Sequence, residues 1–99
     1  MALPKYYELM LPLLKLASDE KEHYIREAID KLAETLHISE GERKELLPSG
    51  KQAVFDNRAG WARTYMAKAG LLENTRRGYF RITQRGLEVL QQNPAEINT

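Results

Sequence analysis

The stretch "AGLLENTRRGYFRIT", residues 69–83, constrains the fold more than any other part of the chain. Gly70 suits the left-handed position that ends a helix. Two short β-type runs, "LLEN" and "YFRI", flank the turn "TRRG", and alternation turns Phe80 and Ile82 inward and Tyr79 and Arg81 outward. Thr83 then suits the N-cap of a last helix carrying Leu87 and Leu90, followed by the polar tail "QQNPAEINT". A helix stop, a hairpin and a helix start follow one another with no spare residues, so the hairpin has to fold back beside the helix it leaves.

Upstream the signals are helical. From Tyr6 to Ala17, the residues Tyr7, Met10, Leu11, Leu14 and Ala17 keep helical spacing, and Pro4 suits a first-turn position. Pro12 predicts a kink or a restart in that run, because its nitrogen cannot donate to the carbonyl of Glu8. The charged segment "SDEKEH" reads as a loop. The second helix follows it, with the stripe Ile25, Ile29, Leu32, Ala33 and Leu36 as the cleanest 3.6-residue pattern in the chain. Ser39 and Glu42 form a capping box for a short third helix closed by Leu46, Leu47 and Pro48, and "PSGK" reads as a turn.

A longer helix is expected over about 54–69. At about 100° per residue, Val54, Arg58, Ala62, Tyr65 and Ala69 share a side flanked by Phe55, Trp61 and Met66, which is expected to face the core. The opposite side shows Asp56, Gly60, Arg63, Thr64 and Ala67, with Asn57 and Lys68 at its margin. Helix, helix, short helix, long helix, hairpin, helix is a mainly α protein with a small β-hairpin, an α+β winged helix-turn-helix. It is expected to occupy residues 1–93. A length of 99 residues, with 42% apolar and 29% charged residues, fits one such globular domain.

Composition excludes several function classes. The chain has no cysteine, which removes disulfides and thiolate metal sites and fits a cytoplasmic setting. The longest apolar stretch, "LMLPLLKLA", is too short to span a bilayer, so no membrane partner is expected. His23 and His37 stand alone, without a carboxylate or serine at motif spacing. Glu42-Arg43-Lys44 downstream of Asp30 resembles the Glu-x-Lys run of a metal-dependent nuclease, but both lie in helical patterns with no strand before them. "SGK" lacks the other glycine of a phosphate-binding loop. No cofactor and no catalytic residue are expected.

Charge is distributed unevenly. Residues 1–49 hold seven Lys or Arg against ten Asp or Glu, whereas residues 50–86 hold eight against Asp56 and Glu73 alone. Such asymmetry marks either a solvated basic face or a surface for a polyanion. If the partner is double-stranded DNA, Asn57, Arg63 and Thr64 suit base edges, and Lys51, Lys68, Arg76 and Arg77 suit phosphates. Tyr79 either directs its hydroxyl to the DNA backbone or packs on the hairpin. Arg58 points toward the core, where it either pairs with a carboxylate or aims along the start of the helix at DNA. Phe55, Trp61 and Tyr65 read as core. Gly60 costs roughly 0.5–1 kcal/mol in a helix interior; close approach of DNA or close helix packing are the two explanations.

The segments "SGKQAVFDNRAGWARTYMAKAGLL", "RRGYFRIT" and "RGLEVL" together resemble the N-terminal domain of the Mrr restriction proteins. The similarity runs over residues 3–94 and includes the proline of "LPLL" and the late "NP". In that family the domain resembles a winged helix and precedes a restriction-endonuclease-like domain that cuts DNA carrying methylated bases. The resemblance implies that this chain targets DNA without cutting it, with residues 94–99 starting a linker to a nuclease-like domain that is absent from this sequence. Two other functions remain open: a winged-helix transcriptional regulator, bound as a homodimer to a palindrome, and a protein-interaction module using the acidic first half.

Overall fold

In the computed structural model, which describes residues 3–97, the organising element is helix α1, Tyr6–Leu16. Residues 1, 2, 98 and 99 of the expected domain and linker lie outside the described residues. Helix α1 buries Leu9, Met10, Leu11, Leu13 and Leu14. That is more than a single stripe, because α2 (Ile25–Thr35), α4 (Val54–Lys68) and α5 (Gln84–Gln91) all pack against it. The expected stripe therefore omitted Leu9 and Leu13 and wrongly included Tyr7, which is exposed. Lys5 is the N-cap, so Pro4 precedes the helix instead of occupying its first turn. The helix runs through Pro12 without restarting. Glu8 and Pro12 both line an open groove, where water can reach the carbonyl that proline leaves without a donor.

The middle of the chain follows its local signals. Helix α2 buries Ala28, Ile29, Leu32 and Ala33. Helix α3, Glu40–Lys44, opens with the expected capping box: the Glu42 amide donates to Ser39 Oγ (3.1 Å), and the Ser39 amide donates to Glu42 Oε1 (3.0 Å). Arg43 of α3 bridges Asp30 of α2 (2.7 Å) and Asp56 of α4, with its guanidinium over the Phe55 ring. Helix α4 ends at Gly70 (φ 79°). The Gly70 and Leu71 amides donate back to the carbonyls of Ala67 and Met66 (3.1 and 2.9 Å), the paired bonds of a left-handed helix stop.

The hairpin is part of a larger sheet than expected. Strands β2 (Leu72–Arg76) and β3 (Tyr79–Ile82) are joined by β1 (His23–Tyr24) in the antiparallel order β1-β3-β2. The segment "SDEKEH" is therefore not wholly loop: His23 pairs with Phe80 and Tyr24 with Tyr79. Phe80 and Ile82 are buried. Thr83 caps α5 by accepting the Gly86 amide (3.0 Å), and its hydroxyl reaches the carbonyl oxygen of Gly70 (2.6 Å). The element order, the single core and the three-stranded sheet make this a winged-helix-like α+β fold, with Ile97 of the tail joining the core.

The wing is tied to the start of α2. Gly78 (φ 81°) closes the β2–β3 turn, and its carbonyl accepts the Ile25 amide (2.8 Å), one of the donors that the first turn of a helix leaves free. Thr75 is the extra residue of a bulge in β2. Arg76 donates through Nε and Nη2 to Glu22 Oε1 (3.1 and 2.9 Å) and lies over the Tyr79 ring, 3.9 Å from its centroid. A hydrogen bond from the Thr75 side chain, and then Arg76, hold the Glu22 carboxyl below its ordinary value.

Two predictions follow from this packing. A Cβ at Gly86 would fall 2.4 Å from the Leu71 carbonyl oxygen and 2.7 Å from Ile82 Cγ1. Gly86→Ala should lower the unfolding free energy in urea by about 1–3 kcal/mol; unchanged stability would mean that α5 is not seated as described. For Glu22, a lowered carboxyl contributes stability that is complete above its unfolded value, near 4.5, and is lost as pH falls through the lower folded value. Glu22→Gln should therefore be less stable than the parent at pH 7, and the two should converge as pH falls below the lowered folded value. A difference that persists in acid would detach the wing tether from ionised Glu22.

Candidate nucleic-acid interface

The rotation of α4 about its axis decides what the helix shows to solvent. Its buried residues are Val54, Phe55, Ala59, Ala62 and Met66, which places the inward direction roughly 50° from the expected one. Phe55 is buried as expected. Trp61 and Tyr65 are not core residues: they are 49% and 36% exposed, whereas Ala59, absent from the expected core, is fully buried. The alanines let α4 lie close to α1, and the two large rings move to the surface. There Tyr65 stacks on Tyr6 (5.0 Å between centroids, 27° between planes), with Trp61 5.9 Å beyond it.

Arg58 takes a third course. Its Nη1 donates to the carbonyl oxygens of Leu3 (3.0 Å) and Pro4 (3.1 Å), and it makes no ion pair among the described residues. The expected carboxylate partner is replaced by two backbone acceptors. The side chain thereby pins the segment before α1 onto α4, and its hydrogen bonds are made inside the fold.

The outward face of α4 carries Asn57, Gly60, Trp61, Thr64, Ala67 and Lys68. A Cβ at Gly60 would meet nothing within 4 Å, so packing within this chain does not account for the glycine. Thr64 Oγ1 donates to the Gly60 carbonyl (3.0 Å), and Asn57 Nδ2 donates to Gln52 Oε1 (3.1 Å). Beside this face lies an open groove of about 820 Å³ between α2 and α4, bordered by Arg26, Lys51, Gly60 and Arg63.

The basic third of the chain divides into paired and unpaired cations. Arg76 is bound to Glu22 and Arg81 to Glu73 (2.5 Å). Lys51, Arg63, Lys68, Arg77 and Arg85 make no ion pair among the described residues. The two arginines of the wing therefore separate: Arg76 is an anchor, and Arg77 is left at the turn. Tyr79 is half-buried, with its ring 5.0 Å from that of Tyr24 and against Arg76.

A few other titratable groups are engaged locally. His23 is not without a carboxylate: its Nε2 lies 2.8 Å from Asp19, whose carboxyl is held low first by that hydrogen bond and then by the Lys21 amide. Glu42 is held low by the Ser39 amide of its capping box. Arg43 of the Glu-Arg-Lys run meets Asp30 as an ion pair. Among the described residues no three His, Cys, Asp or Glu side chains gather as a metal site. No helix among them is long and apolar enough to cross a membrane. Sequence reasoning missed Trp61 as a surface residue of this face; its position beside Asn57 and Lys68 on the helical wheel was the available signal.

Comparison with known proteins places these features in a lineage. No solved structure matches the chain. The type IV methyl-directed restriction enzyme EcoKMrr of Escherichia coli (strain K12) is 30% identical over 95 residues, which cover 95% of this chain and 31% of that protein. The chain thus spans about a third of the length of this relative. Residues 6–92 match the family described as the Mrr N-terminal domain, and the chain belongs to that family.

Proposed function

We propose that this chain is the DNA-targeting domain of an Mrr-type restriction protein, with α4 in the major groove of a duplex and the wing, residues 75–79, along the adjacent backbone. The observation that carries this reading is an outward helix face with open space at Gly60, bordered by cations that make no ion pair among the described residues. Lys51, Lys68 and Arg77 supply phosphate contacts, and Asn57, Arg63 and Thr64 face the bases. Arg58, Arg76 and Tyr79 support the surface from behind through the contacts described above. The relative's methyl-directed restriction activity favours methylated DNA as the target. Cleavage then belongs to a nuclease domain of a longer cytoplasmic protein, and this domain needs no cofactor.

Two experiments test the reading. A labelled 20-base-pair duplex is titrated with the chain at about 50 and 200 mM salt. Neutralising about three phosphates gives a log–log slope of about −2.7, equivalent to roughly a 40-fold loss of affinity between the two conditions. Lys68→Ala and Arg77→Ala should each flatten the slope by about 0.9. A folded protein that binds nothing at low salt would overturn the proposal in favour of a protein-interaction module. In the second experiment, Gly60→Ala should raise stability by about 0.5–1 kcal/mol while weakening binding. Parental affinity in that variant would end the role of Gly60 in close approach.

A further inference from the structure

Few side chains on the outward face of α4 are free to hydrogen-bond, apart from Lys68 and the remaining amide groups of Asn57. Gly60 and Ala67 offer no such group from a side chain. The Thr64 hydroxyl gives its proton to the Gly60 carbonyl, and Asn57 gives one amide proton to Gln52. Beside them the face presents apolar contact: the half-exposed Trp61 ring, the Thr64 γ-methyl and the Ala67 methyl. At helical spacing these three lie side by side within an arc of about 120°. The indole is braced, since Tyr65 lies against it and itself stacks on Tyr6.

Base edges in the major groove display donors and acceptors together with one apolar group, the C5-methyl of a pyrimidine. We propose that Trp61, with Thr64 and Ala67, reads pyrimidine C5-methyl groups, those of thymine or 5-methylcytosine, in the groove that α4 occupies. This inference rests on the DNA-binding reading above. Charge argues for DNA over a second copy of the chain as the occupant. Lys68 on this face and Lys51 and Arg63 at its border make no ion pair among the described residues, and two copies meeting here would bring these cations together.

The test uses two pairs of 20-base-pair duplexes titrated at about 50 mM salt. One pair carries thymine or deoxyuridine at the same positions, and the other carries 5-methylcytosine or cytosine. The parent should prefer the methylated member by about fourfold for each methyl group it covers. A preference confined to the first pair supports thymine as the source of the methyl, and one confined to the second supports 5-methylcytosine. Trp61→Ala should erase the preference while leaving the salt slope intact, because no cation is lost. Thr64→Ser, which keeps the hydroxyl bond to Gly60 and removes only the methyl, should reduce the preference; this covers the case in which Trp61→Ala fails to fold.

Three outcomes count against the proposal. Salt-sensitive binding by the parent with equal affinity for both members of each pair overturns methyl reading and leaves DNA binding standing. No binding to any duplex removes both. A parent dimer in sedimentation that Trp61→Ala converts to monomer assigns the indole to a contact between copies and overturns the proposal.

Discussion

The contact between α4 and α1 is the constraint on which the rest of the structure depends. Helix α1 offers Leu9, Met10, Leu13 and Leu14, all fully buried, and α4 answers with Ala59, Ala62 and Met66. Each fully buried large side chain here contributes about 1.5–3 kcal/mol. Turning α4 to bury Trp61 and Tyr65 would force two rings into space now occupied by two methyl groups, and closely packed interiors do not yield that volume. The rotation that satisfies the core is therefore the rotation that sends Gly60, Thr64 and Lys68 outward. The candidate interface is the reverse side of a packing solution.

The wing depends on a second set of contacts that meet at Tyr24. This residue is the N-cap of α2, the partner of Tyr79 in the sheet and the ring against which Gly78 turns. Because the Gly78 carbonyl also accepts the Ile25 amide, moving the wing would strip a helix start of a hydrogen bond. Arg76 and Glu22 close the same junction from the solvent side. The turn that carries Arg77 is thus fixed relative to the helices by contacts within the fold.

Features encoded by a few neighbouring residues were legible in the sequence. The Ser39–Glu42 box, the stop at Gly70, the inward Phe80 and Ile82, and the Thr83 cap all depend on residues at most a few positions apart. Strand β1 was not legible, since two residues show no alternation and its identity comes from pairing with a strand more than fifty positions away. The facing of α4 was ambiguous because its apolar residues spread over two overlapping arcs, and only the partner helix selects one. The cations of the site were visible, but their pairing was not. Arg58 and Arg76 find their acceptors 54 or 55 residues away.

That pairing changes how the basic third of the chain should be counted. An arginine already bound to a carboxylate presents almost no net charge to a distant polyanion, and to bind a phosphate it must first give up its partner. Arg76 and Arg81 are in this position, whereas Lys51, Arg63, Lys68 and Arg77 make no ion pair among the described residues. The paired cations tie the wing to the segment before α2 and strand β2 to β3. Gly60 belongs with the second group, because it lowers helix stability and nothing among the described residues uses the space it leaves. Residues that hold the fold and residues of the candidate interface are therefore largely separate sets. The outward face can change its chemistry by substitution while the α1–α4 contact, which aims it, stays as it is.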